Sequence, residues 1–225
     1  MRGLRRAGAL ALVACVGFGL AAASAEAGLK NAGFESGDFS HWKTKVTPIT
    51  PDGPAPVRQF RGMLGDTQWE LYTANSRAVG PGIVLPKPRG VFSPVIDMTG
   101  PGHNVLYRTI KVPRKAKMLK LRAYWHNDAD AFSFAGSFLH PVDGDQYFSV
   151  DLLKAKANPE STKAGDVLEP LLAPEIPETA LISDWIKFGA ALKPYRGEKV
   201  TLRLAEVDTR SFNYVGIDKL KITKK

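Results

Sequence analysis

Residues 118–126 carry the most regular pattern in the chain. Leu119, Leu121, Ala123 and Trp125 alternate with Lys120, Arg122, Tyr124 and His126, and a period of two sets one series on a buried face and the other in solvent, so the stretch predicts a half-buried strand. Residues 146–153 repeat the pattern. Phe148, Val150 and Leu152 are expected inside, with Tyr147, Ser149 and Asp151 outside, and the two strands are expected to be neighbours in one sheet. Further strands are predicted at 43–49, 57–60, 69–73, 90–96, 104–112, 185–188, 200–207 and 213–223, with Leu106, Ile110 and Val112 sharing a face. Seven prolines between Pro48 and Pro88 confine the strands of that region to sheet edges. No stretch after residue 27 has a helical period of convincing length. Many short strands separated by Gly/Pro turns predict an all-β fold, a two-sheet antiparallel β-sandwich.

The segment that opens this sandwich is 28–42, read as a short strand and a turn. Gly33, Gly37 and Asp38 supply permissive turn positions, while Phe34, Phe39 and Trp42 are large apolar groups to be tucked inward. Glu35 is the odd member, because a carboxylate among core aromatics needs a partner.

Composition changes the picture at the N-terminus first. Arg2, Arg5 and Arg6 precede an apolar run from Ala7 to Ala23 and the small-residue sites Ala23-Ser24-Ala25 and Ala25-Glu26-Ala27, which reads as a signal peptide over residues 1–27 and one β-sandwich domain over 28–225. The expected location is secreted or periplasmic. Arg5-Arg6 is a weak twin-arginine signal, and Leu12-Val13-Ala14-Cys15 offers a lipoprotein site at Cys15. The apolar run before Cys15 is short and continues past it, which favours ordinary cleavage. Cys15 is the only cysteine in the chain, so a disulfide framework is excluded. No other apolar run approaches membrane-spanning length.

Cleavage after Ala27 leaves 198 residues with 28 Lys+Arg against 21 Asp+Glu, a net charge of +7. That balance favours an anionic envelope polymer or acidic polysaccharide as partner. It falls short of the dense, patterned basicity of a nucleic-acid binder. The run Lys111, Arg114, Lys115, Lys117, Lys120, Arg122 contains no acid; it is either a polyanion site or a solvated face.

Two ends of the chain carry a resemblance. Asn31-Ala32-Gly33-Phe34-Glu35 with Gly37-Asp38-Phe39-Ser40-His41-Trp42, and the closing Val215-Gly216-Ile217-Asp218-Lys219-Leu220, resemble the opening and closing motifs of bacterial carbohydrate-binding-module-like jelly rolls of the galactose-binding-like fold. Trp185, the turn 192–197 and the strand 200–206 fit the same pattern. The resemblance implies a non-catalytic binding module and a structural calcium tying the first strand to the last through Glu35 and Asp218. Calcium takes roughly 6 to 8 oxygen ligands, and the Gly-rich turn beside Glu35 exposes carbonyls. The chain departs from the pattern at Lys219, where a second acid or Asn is usual. The alternative is a turn-capping Glu35 and an Asp218 paired with a Lys or Arg.

The expected sugar site gathers Arg122, Tyr124, His126 and Asn127 with Tyr147 and Asp151, with Arg203 on a neighbouring strand and Trp69 as a stacking platform or edge-strand anchor. A flat aromatic suits the C–H face of a sugar ring and planar polar groups its hydroxyls. The alternative is an ordinary solvated face of cross-strand pairs. The loop 126–130 and Asp143-Gly144-Asp145 are either ligand-gripping loops, ion sites or solvated turns. No H-E-x-x-H, G-x-S-x-G, P-loop or nucleophilic cysteine is present. A polysaccharide-acting lyase or hydrolase stays open as an alternative, since carboxylate pairs have no fixed spacing, and so does a structural or adhesive protein-interaction module.

Overall fold

The structure, a computed structural model, describes residues 29–48, 68–76, 78–80, 83–98, 102–127, 132–133, 146–161, 163–171, 183–208 and 213–224. The strand expected at 57–60 lies outside these, as do Asp128, Asp130, His140, Asp143 and Asp145. Of Asn127 and Tyr147 only the strand positions are described.

Thirteen strands follow in chain order: β1 (Lys43–Pro48), β2 (Gln68–Tyr72), β3 (Ala78–Gly80), β4 (Ile83–Val84), β5 (Ser93–Met98), β6 (Gly102–Lys111), β7 (Ala116–Asn127), β8 (Phe132–Ser133), β9 (Gln146–Lys154), β10 (Val167–Pro170), β11 (Ile186–Ala191), β12 (Lys199–Asp208) and β13 (Asn213–Lys224). They form a two-sheet antiparallel jelly roll. The first sheet runs β1-β6-β12-β9-β10, with β8 pairing parallel to β9, and the second runs β11-β7-β13-β5-β2; β3 and β4 make a small separate ribbon. A single 3-10 turn at Lys193–Tyr195 is the only helical element among the described residues, and none there is long and apolar enough to cross a membrane.

The core lies between the sheets. Leu106, Phe148, Val150, Leu152, Leu202 and Leu204 of the first sheet face Leu119, Leu121, Trp125, Val215 and Ile217 of the second, and all are essentially removed from water. At roughly 1.5–3 kcal/mol for each large apolar side chain buried, this layer dominates the stability of a chain with no disulfide. Ile110 and Val112 join Leu106 in it, on the face expected for all three.

Two expectations need correction. β7 and β9 are not neighbours. They belong to different sheets, because two strands with one buried face satisfy the same alternation by facing each other across a core as well as by lying side by side. The consecutive strands β5 and β6 likewise belong to opposite sheets. The segment 29–42 is a run of turns with no strand. Asn31, Phe34 and His41 adopt positive φ of 49°, 59° and 70°, and the Asn31 amide binds the main-chain oxygens of Asp38 and Ser40 at 2.9 and 3.3 Å. The expected inward turn of the aromatics does occur: Phe34 stacks on Trp42 at 5.1 Å and meets Phe39 edge-on at 5.9 Å. The Arg108 guanidinium covers the Trp42 ring at 5.1 Å and donates to the Lys30 carbonyl at 2.6 Å, which fixes the turn to β6.

The sheet margins are polar. β1 presents Lys43 and Lys45 exposed and ends on Pro48, β10 ends on Pro170, and β11 exposes Lys187.

Candidate functional site

Each sheet has a second layer on its outer face, and these two straps decide what a ligand can reach. Over the second sheet runs the segment 85–92. Leu85 packs on Val95, Tyr124 and Tyr214, with Tyr72 and Trp185 around them, as a small apolar cluster outside the main core. Trp185 meets Tyr124 edge-to-face at 4.7 Å and donates its indole N–H to the Lys87 carbonyl at 2.9 Å. Gly216 lies directly beneath the Tyr124 ring. A Cβ there would stand 2.1 Å from Cε1, so the absence of a side chain is what lets the ring lie flat.

The strap is clasped at its far end by two acids from opposite ends of the chain. Asp218, fully buried, accepts the Arg89 N–H at Oδ2, 2.6 Å, and the N–H of Lys219 at Oδ1. Glu35 accepts the Val91 N–H at Oε2, 2.8 Å. Glu35 is exposed rather than buried among the aromatics. Its carboxylate rests against Gly90, where a Cβ would come within 1.6 Å of Oε1. Burial raises the Asp218 pKa, the amide donors of Arg89 and Lys219 oppose this, and the Glu35 charge adds to the rise. Neither acid has an ion-pair partner among the described residues. The Lys219 charge acts on Asp218 ahead of that of Glu35, and the described residues hold no cluster of three or more potential metal-ligating side chains, so a divalent oxygen-seeking cation at these two carboxylates would draw most of its shell from carbonyls or water.

Lys219 has a physical account. The β13–β7 register shifts between Asp218 and Lys221, and Lys219 is the bulged residue, exposed at φ 55°. The left-handed region favours Asn and Asp over Lys, so the residue types usual at this place are the ones the bulge would accept with least strain.

Beside the clasp a groove of about 550 Å³ opens on the second sheet. Six cations line it: Arg89 from the strap, Lys120 and Arg122 from β7, Lys187 from β11, and Lys219 and Lys221 from β13. Leu121, Phe188 and Thr223 complete the lining.

Over the first sheet runs the segment 154–161. Arg203 donates from Nε and Nη2 to Asp151 Oδ2 at 3.0 and 2.7 Å, and from Nη1 to the carbonyls of Pro159 and Ser161 at 3.1 and 2.7 Å. Both side chains are fully buried. Burial pushes the Asp151 pKa up, and the Arg203 charge and hydrogen bonds, with one from Ser149, pull it back. At the border of this strap Glu160 pairs with Lys45 and Thr47, and His103 lies nearby. Burial drives the His103 imidazole down to about 4, with the Arg203 and Lys45 charges acting the same way and Glu160 opposing them.

This last shift has a consequence for stability. A histidine with its folded pKa below the unfolded value of about 6.5 resists protonation only while folded. Its full contribution is present above pH 6.5 and is lost as pH falls from there toward 4. Between those limits the protein is expected to lose about 3 kcal/mol, and His103→Gln should flatten that part of a denaturation–pH profile. An unchanged slope in the variant overturns the assignment.

The expected sugar site therefore does not assemble. Tyr124, His126 and Arg122 lie on the outer face of the second sheet and Asp151 and Arg203 on that of the first, so the whole sandwich separates them. Tyr124 is covered by one strap and the Asp151–Arg203 pair by the other. Trp69 is buried in the core opposite Ile96, because β2 pairs with β5 and turns it inward, so it offers no open platform. His126 stays partly exposed, edge-on to Tyr214 at 6.1 Å. Arg122 is the one residue of the expected sugar site that lines the groove, joined there by Lys120 of the acid-free basic run. Lys187, Lys219 and Lys221 are not anticipated from the chain; their signal is the outward phase of β11 and β13, readable only once the order β11-β7-β13 is known.

No protein-family model matches the chain, and no curated protein matches it. Among solved structures it is similar to TmCBM61, described in complex with β-1,4-galactotriose, at 13% identity over 88% of this chain and 97% of that one, with a TM-score of 0.48. It is similar to the K1 cleaved adhesin domain of Lys-gingipain from Porphyromonas gingivalis W83, at 15% identity over 86% and 96%, TM-score 0.45. It is also similar to the family 11 carbohydrate-binding module of the cellulosomal cellulase Lic26A-Cel5E of Clostridium thermocellum, at 10% identity over 90% and 97%, TM-score 0.40.

Proposed function

We propose that the chain is an exported, non-catalytic binding module for carbohydrate or another polymer of the cell envelope, stabilised by a calcium ion held between Glu35 and Asp218. The observation that carries the binding reading is the groove on the second sheet. It is open to solvent, sits on three hydrogen-bonded strands whose opposite face is packed core, and is rimmed by long donor side chains. Donors held on a rigid base recognise hydroxyl, carboxylate or sulfate oxygens without first having to be ordered. Its lining supplies cations and a threonine, with no carboxylate or imidazole of the kind that acid–base hydrolysis uses. Export rests on the charged and apolar pattern of residues 1–27.

A glycan array with the protein and its Arg122→Ala variant tests this reading. Saturable binding that the variant loses is the expected result. A blank array accompanied by self-association would transfer the protein to the adhesive class, and release of shortened product would make it an enzyme.

A further inference from the structure

The geometry points to an acidic polysaccharide as the ligand of this groove, a chain whose repeating units carry a carboxylate or a sulfate ester. The inference rests on the carbohydrate reading above and narrows it. What carries it is the placement of the cations on the sheet. Cross-strand register sets Lys187 directly opposite Arg122, and Lys221 directly opposite Lys120.

Like charges at directly opposed positions destabilise an antiparallel pair, and here two such pairs occupy successive outward rows of the same strand. Solvated faces ordinarily relieve this with an acid, as Glu160 does for Lys45 on the first sheet. Among the described residues none of the six groove cations is ion-paired. On the other side of β7 the acid Asp218 stands opposite Arg122, its carboxylate taken up by the Arg89 and Lys219 N–H groups, so one acid faces six cations and the remaining positive excess is what anions from outside would relieve.

Spacing gives the ligand its form. Successive outward rows stand roughly 6.7 Å apart along a strand, and neighbouring strands about 4.8 Å apart. The four strand-borne cations thus make a short ladder, met by Arg89 from the strap and Lys219 from the bulge. A polymer with one anion per unit engages several rungs at once. Arg122 presents a planar fork to a carboxylate or sulfate, while the lysines act as point charges. A flat anionic bilayer does not enter a recess, and the one aromatic ring of the lining, Phe188, is packed into the core and presents no open face on which a nucleic-acid base would stack.

The test is titration calorimetry of the protein with polygalacturonate, dextran sulfate, uncharged dextran and uncharged galactan, with phosphatidylglycerol vesicles and duplex DNA as competing arms. Binding to polygalacturonate or dextran sulfate, weakening steadily with added salt, is expected; which of the two binds tighter assigns the carboxylate or the sulfate. Arg122→Gln with Lys187→Gln should lower that affinity at least roughly tenfold while leaving the melting temperature unchanged or higher, since an opposed like-charge pair has been removed. Lys115→Gln with Lys117→Gln, cations outside the groove, should leave affinity unchanged. Salt-insensitive binding of dextran or galactan in preference to the polyanions overturns the acidic ligand and leaves the carbohydrate reading standing. Failure to bind any glycan, charged or uncharged, overturns both. Tighter binding to the vesicles or to DNA than to either polyanion overturns the polysaccharide assignment.

Discussion

Replacing Arg203 by methionine is expected to cost about 3–5 kcal/mol of folding stability, the typical loss when one partner of a buried ion pair is removed. For a chain of this length that is roughly a 10 °C fall in melting temperature. The loss comes less from the attraction given up than from what remains. Asp151 would be left charged beneath the 154–161 strap, and the carbonyls of Pro159 and Ser161 would lose their donor. The variant should also acquire a pH dependence with a definite sign. Burial already pushes the Asp151 pKa up, and Arg203 is the main counterweight. Without it the folded pKa stands well above the unfolded one. The deficit is then full above the folded pKa and shrinks as pH falls toward the unfolded value. Asp151→Leu with Arg203→Met should regain most of the loss, because the charge goes with its partner. Thermal melts of the two variants across pH decide the matter, and an Arg203→Met protein that melts like the parent would show the pair to be inert.

Calcium is the second large effect. With free calcium at about a hundred times its dissociation constant, the ion stabilises the folded state by about 2.7 kcal/mol, or roughly 5–10 °C at this size. Excess chelator should lower the melt by that amount. Glu35→Gln should abolish the response yet keep an oxygen for the Val91 N–H, so the strap contact itself survives the change. Gly90→Ala should weaken it by another route, because the new methyl group occupies the place of Glu35 Oε1. An identical melt with and without chelator sinks the proposal.

The strands of this fold are legible in the sequence wherever one face is core and the other is wet. β7 follows its period-two pattern at Leu119, Leu121, Ala123 and Trp125, and the ends of β12 and β13 fall within a few residues of expectation. The pairing of strands is not legible to the same degree. Alternation fixes which side chains face inward and leaves open whether two strands share a sheet or oppose each other, which is how β7 and β9 come to be misjoined. The straps are the other blind spot. Tyr124, Asp151 and Arg203 hold outward positions and read as accessible, yet each is covered by a connecting segment that has no periodicity to announce it. Leu153 and Val105, apolar at outward positions of the first sheet and fully buried, are the trace such a cover leaves in the chain. Of the expected site, Arg122 alone keeps its place in the groove, and its cationic neighbours come together only through the strand order.

The polar margins of the two sheets bear on how the protein behaves when many copies crowd onto one polymer. An unpaired strand edge is a template for another chain, and lysines or a proline along it discourage that pairing. Lys43, Lys45 and Pro48 on β1, Pro170 on β10 and Lys187 on β11 guard three of the four outermost strands. Copies lined up on a polymer would meet through like-charged borders and repel one another, so dense occupancy favours spaced, individual molecules over a fused β-sheet fibre.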